Sequence, residues 1–235
     1  MKVNKSSSFI VMLFGLLFFT TSCLKNEDNV QSYNYMIGSV VTITGQNFFR
    51  LDSDGSLLLS TDFSKYVNGS RILASFKINY SQQPSGTHNY YVVQDVVSAS
   101  FALKQTFNID VAEKDTFEND PIASFAAYFT NFDGRVLFTT SSSFNSSTLT
   151  HSINLVKNSV LASVSASDTL KLEVRHNKKG DAETTKKSGQ LVSFDLSPYL
   201  SDVPYGGYKW VEISYNLSDK ITKYVVKYSP QYALD

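Results

Sequence analysis

The chain has 235 residues, with 21 Lys and Arg against 21 Asp and Glu, a formal net charge of zero. That balance excludes partners that demand a strongly basic surface, nucleic acid and anionic lipid among them. A single cysteine excludes a disulfide framework within the chain, and 14 Tyr and 17 Phe among many Val, Ile, Ser and Thr favour strands over helices.

Lys2 and Lys5 precede the apolar run FIVMLFGLLFF, Phe9 to Phe19. A helix needs about 20 apolar residues to cross a bilayer, so these 11 read as the greasy middle of a secretory signal. Thr20, Thr21 and Ser22 follow, then Cys23. The arrangement resembles the bacterial lipoprotein signal, in which the cysteine becomes the lipidated first residue of the mature chain. Thr20 stands where that signal usually carries leucine, a looser form seen in Bacteroidetes lipoproteins. Residues 1–22 are thus read as a signal peptide and Cys23 as the lipidation site. Lipidation consumes a thiol that would otherwise be unpaired in a secreted chain, and acyl chains would hold the protein at the outer membrane. Residues 23–32 read as a polar tether. Within it Lys25, Glu27 and Asp28 resemble a lysine-plus-acidic export signal to the cell surface, although a solvated linker has the same composition.

Loss of the leader removes Lys2 and Lys5 and leaves 19 basic against 21 acidic residues. Residues 33–103 contain MIGSVVTITG, a hairpin FFRLDSDGSLLLS turning at Asp52-Ser53-Asp54-Gly55, and GSRILASFKINY. In the last of these Ile72, Ala74, Phe76 and Ile78 share one face, and Arg71, Ser75 and Lys77 the other. With YYVVQDVVSASFAL, this makes five short strands, which suit a small closed barrel of the oligonucleotide/oligosaccharide-binding (OB) type. Residues 104–119, with four acids and two lysines, read as a linker. Residues 120–235 hold seven strand candidates: ASFAAYF, GRVLFTTS, LTHSINLV, TLKLEVRHN, GQLVSFDL, YKWVEISYN and ITKYVVKYS. Alternation in the fourth (Leu170, Leu172, Val174) and sixth (Val211, Ile213, Tyr215) predicts an antiparallel immunoglobulin-like sandwich. SSSFNSS at 141–147 and Asn177 to Asp181 read as hairpin loops. The fold class is all-β.

A lipoprotein leader, then FFRLDSDGSLLLS and GSRILASFKI, then NDPI at Asn119 to Ile122, HSINLV at His151 to Val156 and VSFDLS at Val192 to Ser197 together resemble the NigD-like lipoproteins of Bacteroidetes. The resemblance implies an N-terminal OB-type domain and a C-terminal β-sandwich. It implies no catalytic residues, and the family name reflects an association with a bacteriocin locus.

Candidate chemistry is sparse. His88, His151 and His176 are scattered in the sequence and offer no zinc-ligand spacing, so no metal or cofactor is expected. His151, in phase with Leu149, Ile153 and Leu155, reads as a hydrogen-bonded structural histidine. Asp52 to Gly55 has the opening of a calcium loop but neither its glutamate nor its helices, and reads as a turn. No G-x-S-x-G elbow occurs, and nothing selects a carboxylate pair. In the barrel segment Arg50, Lys65, Arg71 and Lys77 balance Asp52, Asp54, Asp62 and Asp95, so no positive groove for nucleic acid is expected. Exposed aromatics remain: Tyr90 and Tyr91, and Tyr205, Tyr208 and Trp210, form the candidate binding surface, with core packing as the competing role. Asp168-Thr169-Leu170 matches a tripeptide that Bacteroidetes O-glycosylate. The expectation is a lipid-anchored, non-catalytic module that binds an envelope protein or a glycan. A bacteriocin-immunity lipoprotein and a small hydrolase are the alternatives.

Overall fold

The computed structural model describes residues 29–86, 89–109, 117–132, 135–147, 151–158, 169–182 and 185–230. The signal peptide, Cys23, Lys25, Glu27, Asp28, His88 and Asp168 lie outside the described residues. Apart from single turns of helix, the regular structure within them is β.

The first module is built from β1 (Val30–Ile43), β2 (Gln46–Leu51), β3 (Leu57–Leu59), β4 (Arg71–Asn79), β5 (Tyr90–Val92) and β6 (Gln94–Ser100), one strand more than the sequence suggested. They form one sheet in the order β5-β3-β2-β1-β4-β6. The expected barrel is not closed by a strand ladder. Its two edge strands, β5 and β6, are nevertheless separated by Val93 alone, and Val93 N–H donates to Leu59 O at 3.0 Å. Because neighbouring Cα atoms are about 3.8 Å apart, the sheet has to curl until its edges meet at that residue. The ring is joined by the chain itself.

Inside it, alternate positions of β4 (Ile72, Ala74, Phe76, Ile78) are buried as their spacing predicts. Phe63, carried on a 3-10 turn at Thr61–Lys65, plugs the interior against Phe49, with ring centroids 5.4 Å apart. Ser60 caps that turn by accepting Asp62 N–H at 3.3 Å. Full burial of two such phenylalanines contributes on the order of 2–3 kcal/mol each.

The second module adds β7 (Ala102–Gln105), β8 (Phe107–Ile109), β9 (Ser124–Phe132), β10 (Arg135–Asn145), β11 (Ser152–Asn158), β12 (Thr169–Asn177), β13 (Lys187–Asp195), α1 (Ser197–Leu200), β14 (Lys209–Leu217) and β15 (Lys220–Tyr228). They make a β-sandwich of a four-stranded sheet, β7-β13-β10-β9, and a five-stranded one, β15-β14-β12-β11-β8. Three pairings are parallel (β7 with β13, β8 with β11, β12 with β14), where the sequence suggested seven antiparallel strands. β7 and β8, separated by Thr106, are edge strands of opposite sheets, so the chain closes one side of the sandwich as it enters. The serine-rich 141–147 stretch is a correction as well. Ser141 to Asn145 continue β10, and Ser142 and Phe144 are buried. Serine hides strand propensity in composition, while the ladder to β13 from Leu137 to Asn145 fixes it.

Phe138, Leu155, Leu172, Phe194, Val211 and Ile213 fill the space between the two sheets. Phe125 on one sheet stacks on Tyr215 of the other, with ring centroids 4.0 Å apart.

The outward face of the four-stranded sheet packs on the outward face of β4 and the β2–β3 turn. There Arg71, only 1% exposed, forks onto both carboxylate oxygens of Asp52. Its remaining N–H groups reach Ser193 Oγ at 3.0 Å, Ser39 Oγ at 2.8 Å and Thr139 Oγ1 at 3.2 Å, so all five guanidinium donors are used. Tyr128 O–H donates to Asp52 at 3.2 Å, and burial, then the Asp52 charge, holds its phenol well above the usual range. The Asp52 to Gly55 segment is indeed a turn, with Asp54 accepting Ser56 N–H at 2.9 Å. Its first aspartate is also the counterion that ties the two modules together.

Candidate binding surface

The exposed face of the five-stranded sheet is built by alternation along β14 and β15. Inward residues Val211, Ile213 and Tyr228 are buried, which turns Trp210 and Glu212 outward on β14, and Ile221, Lys223, Val225 and Lys227 on β15. The register sets Trp210 opposite Lys227 on one side and opposite Thr169 of β12 on the other. Trp210 is 41% exposed, Val225 54% and Ile221 58%. Tyr208 meets Trp210 edge to face at 6.3 Å, and Lys227 Nζ lies 4.1 Å from the centre of the Tyr208 ring. Lys223 pairs with Glu212 at 2.9 Å, a solvated contact that contributes little stability but fixes charge on the face. Tyr205, on the loop before β14, is 66% exposed.

Of the aromatics singled out from sequence, Tyr208 and Trp210 are thus in contact. Tyr90 and Tyr91 stand apart from them, on edge strand β5 of the first module. Tyr90 packs on Phe48 at 5.4 Å, and Tyr91 meets Tyr80 edge to face at 5.9 Å. Ile221 and Val225 were not picked out from sequence. The alternation of β15 carries the signal, because Thr222, Tyr224 and Val226 take the inward phase and leave two aliphatics outside.

The histidines are less scattered than their sequence positions suggest. β11 and β12 are antiparallel, with Ser152 opposite Asn177 and Ile153 opposite His176, which brings His151 and His176 to one end of the core. His151 Nδ1 lies 2.8 Å from His176 Nε2, and both rings stack on Phe144 at 4.2 and 4.9 Å. His151 Nε2 lies 2.9 Å from Asp181 Oδ2. His176 Nδ1 lies 3.3 and 3.2 Å from the carbonyls of Asp120 and Pro121.

Carbonyls only accept, so His176 Nδ1 carries a proton. Its Nε2 then accepts from His151 Nδ1–H, and the third proton sits between His151 Nε2 and Asp181. Asp181 also accepts from Ser146 O–H at 2.6 Å, Ser147 N–H at 3.1 Å and Ser147 O–H. These serines donate to a carboxylate and both His151 nitrogens are engaged, so the cluster is wired to tie loops together. Burial first, then the charge of His151, pushes the His176 pKa below its usual value. Among the described residues no group of three or more His, Cys, Asp or Glu could hold a metal ion. Among them no helix is long and apolar enough to cross a membrane.

A family model, the NigD-like C-terminal beta sandwich domain, matches residues 105–228. None of the curated proteins matches the sequence. Among solved structures, a protein of unknown function from Bacteroides vulgatus is 15% identical with a TM-score of 0.68, over 86% of this chain and 93% of that one. A candidate lipoprotein from Bacteroides fragilis is 14% identical with a TM-score of 0.58, over 86% of this chain and 100% of that one. A NigD-like immunity protein from Bacteroides caccae is 15% identical with a TM-score of 0.53, over 88% and 100%. At these identities the likeness is one of fold.

Proposed function

This chain belongs to the NigD-like family, whose C-terminal β-sandwich domain it carries, and from that premise we propose that it is a lipid-anchored envelope protein that binds a partner rather than transforming a substrate. One observation carries the reading. Trp210, Tyr208, Val225 and Ile221 stand exposed on the β14–β15 face, interleaved with Lys223 and Lys227. Trp and Tyr dominate protein–protein binding energy, and a contiguous apolar patch formed with neighbouring aliphatics is one that a chain without a partner gains nothing by exposing. The aliphatics favour another envelope protein over a glycan, since a sugar stacks on flat rings and gains little from Val225 or Ile221. The anchor in this reading is Cys23, and the outer membrane is the bilayer it enters.

The test is photo-cross-linking in intact cells from a probe at position 214, between Trp210 and the chain end of β14, with Trp210→Ala as control. A discrete protein adduct that disappears in the variant supports the reading. A glycan array positive in the absence of any adduct would replace the protein partner by a glycan, and silence in both would overturn binding through this face. Palmitate labelling of wild type and Cys23→Ser tests the anchor separately.

The immunity-type reading has one specific support, the name of the Bacteroides caccae neighbour. It predicts that deletion strains become sensitive to a bacteriocin, with the toxin or its receptor as the cross-linked partner.

A further inference from the structure

β4 is flanked by a bulge on each side. In its ladder with β1, Tyr33 pairs with Phe76 and Met36 with Ala74, so Asn34 and Tyr35 together stand opposite Ser75. In its ladder with β6, Ser75 pairs with Val97 and Lys77 with Gln94, which sets Asp95 and Val96 against Phe76. Each bulge holds one residue in the left-handed region, Tyr35 at φ +56° and Asp95 at φ +54°. Bulges sharpen the bend of a strand, and the curl of this sheet accounts for having them. It does not account for a tyrosine at the left-handed position, where glycine or asparagine carries less strain.

What the first bulge achieves is exposure. Tyr35 is 76% exposed, with its N–H donating to Ser75 Oγ at 3.0 Å. Val97, paired with Ser75 from the other side, is 74% exposed. Ala74, Phe76 and Ile78 take the inward phase of β4, so Ser75 and its two exposed neighbours stand on the outward wall of β1, β4 and β6. Val30, opposite Asn79 in that same outward phase, opens β1 on this wall and is itself exposed. Lys77 and Asp95, also on the wall, pair at 2.8 Å and cancel.

We infer that this wall is where the protein rests on its bilayer, with Tyr35 and Val97 seated in the headgroup layer of a zwitterionic membrane. The inference rests on the anchor proposed at Cys23. Asn29, whose carbonyl accepts Tyr80 N–H at 2.8 Å, is six residue steps from Cys23, a reach of at most about 21 Å. β1 therefore enters this wall within a short tether of the lipid. Tyrosine, with an apolar ring and a polar tip, settles at the membrane–water boundary, and Val97 adds apolar area beside it. Three side chains are too few for a protein interface, which takes about 20–30 residues a side. A bilayer demands no matching shape, and a short tether presents it at an effective concentration in the mM range. With Lys77 and Asp95 paired, the contact does not depend on lipid charge or salt. It uses no residue of the β14–β15 face.

The experiment holds the mature chain, with a histidine tag in place of residue 23, on phosphatidylcholine vesicles doped with nickel-chelating lipid, so that it does not depend on native lipidation. Bromine near the top of the acyl chains quenches any tryptophan that reaches the bilayer. Tyr35→Trp and Val97→Trp, each in a Trp210→Phe background, should be quenched severalfold more than Trp210 of the wild type, equally at low and high salt. Tyr35→Gly relieves the left-handed strain, so it should raise the melting temperature in solution. Added to Val97→Trp, it should also reduce the quenching. Quenching at positions 35 and 97 no greater than at Trp210, or a lower melting temperature for Tyr35→Gly, overturns the membrane seat. Palmitate labelling of the native chain reads the anchor by itself. A labelled chain whose probes are not quenched sinks the wall alone, and quenching without label supports the wall and removes Cys23 as its tether.

Discussion

His151 and His176 share a 2.8 Å hydrogen bond that is the middle link of a chain running from the Asp181 carboxylate to the carbonyls of Asp120 and Pro121. The chain ties the β12–β13 turn, the end of β10 and the approach to β9 to one end of the sandwich core. It holds only while a single proton lies between the two rings, since a second would set two imidazolium groups face to face.

The His176 pKa is lowered in the folded chain, by burial first and the His151 charge second, against the pull of the two carbonyls and of Asp120. The unfolded chain therefore takes up a proton at His176 before the folded one does. The stability contributed by neutral His176 is full above the unfolded value, near 6.5, and is lost as pH falls below it. Melting temperature should drop between pH 7 and pH 5, and His176→Gln should flatten that drop. Equal slopes for variant and wild type would remove His176 as the cause.

Arg71 and Asp52 give a second prediction. Both side chains are buried, at 0% and 6% exposure, so Arg71→Met strands a carboxylate and should cost about 3–5 kcal/mol. Asp52→Asn alone should cost a similar amount, and the double variant less than the two losses added, because neither charge is then left unpaired. Urea unfolding of the four proteins measures the coupling. Strict additivity would mean the pair contributes nothing as a pair.

Gly38 sits in the centre of β1, paired with Leu51 on one side and Ile72 on the other. A Cβ there would lie 2.0 Å from the Arg50 carbonyl oxygen and 2.5 Å from the Phe49 ring. The nearer obstacle is backbone and cannot rotate away, so Gly38→Ala should cost on the order of 3 kcal/mol or prevent folding. Circular dichroism melts check this. A melting temperature within a degree or two of wild type would place the strands farther apart than described.

How far these features were legible in the sequence differs from residue to residue. The alternation in GSRILASFKI set Ile72, Ala74, Phe76 and Ile78 inward and Arg71 outward, as found. It could not tell that the outward face at Arg71 is covered by another module, because that contact joins residues 122 apart, Arg71 and Ser193. The histidine pair was closer to reach. HSINLV begins with a histidine and TLKLEVRHN has one next to its end, each in phase with the apolar residues, so antiparallel pairing alone brings the rings together. What was missing was the knowledge that these two strands are neighbours. The exposed side of β15 was legible by the same period of two, yet Val225 and Ile221 look like core residues in composition, and only the inward phase of Tyr224 and Tyr228 sorts them out.

That sorting yields the last prediction. Trp210, Val225 and Ile221 lie outside the core, so Trp210→Ala and Val225→Ser should each change unfolding free energy by no more than about 0.5 kcal/mol. If the face is a binding surface, the same two substitutions should abolish capture of the envelope partner, because central aromatics carry a disproportionate share of interface energy. Lys223→Ala at the rim should instead slow association with little effect on dissociation, as rim charges do. Unfolding curves and binding kinetics on the same samples separate the two roles. A large stability loss with unchanged binding would return Trp210 to the packing role that aromatic residues so often play in β-rich proteins.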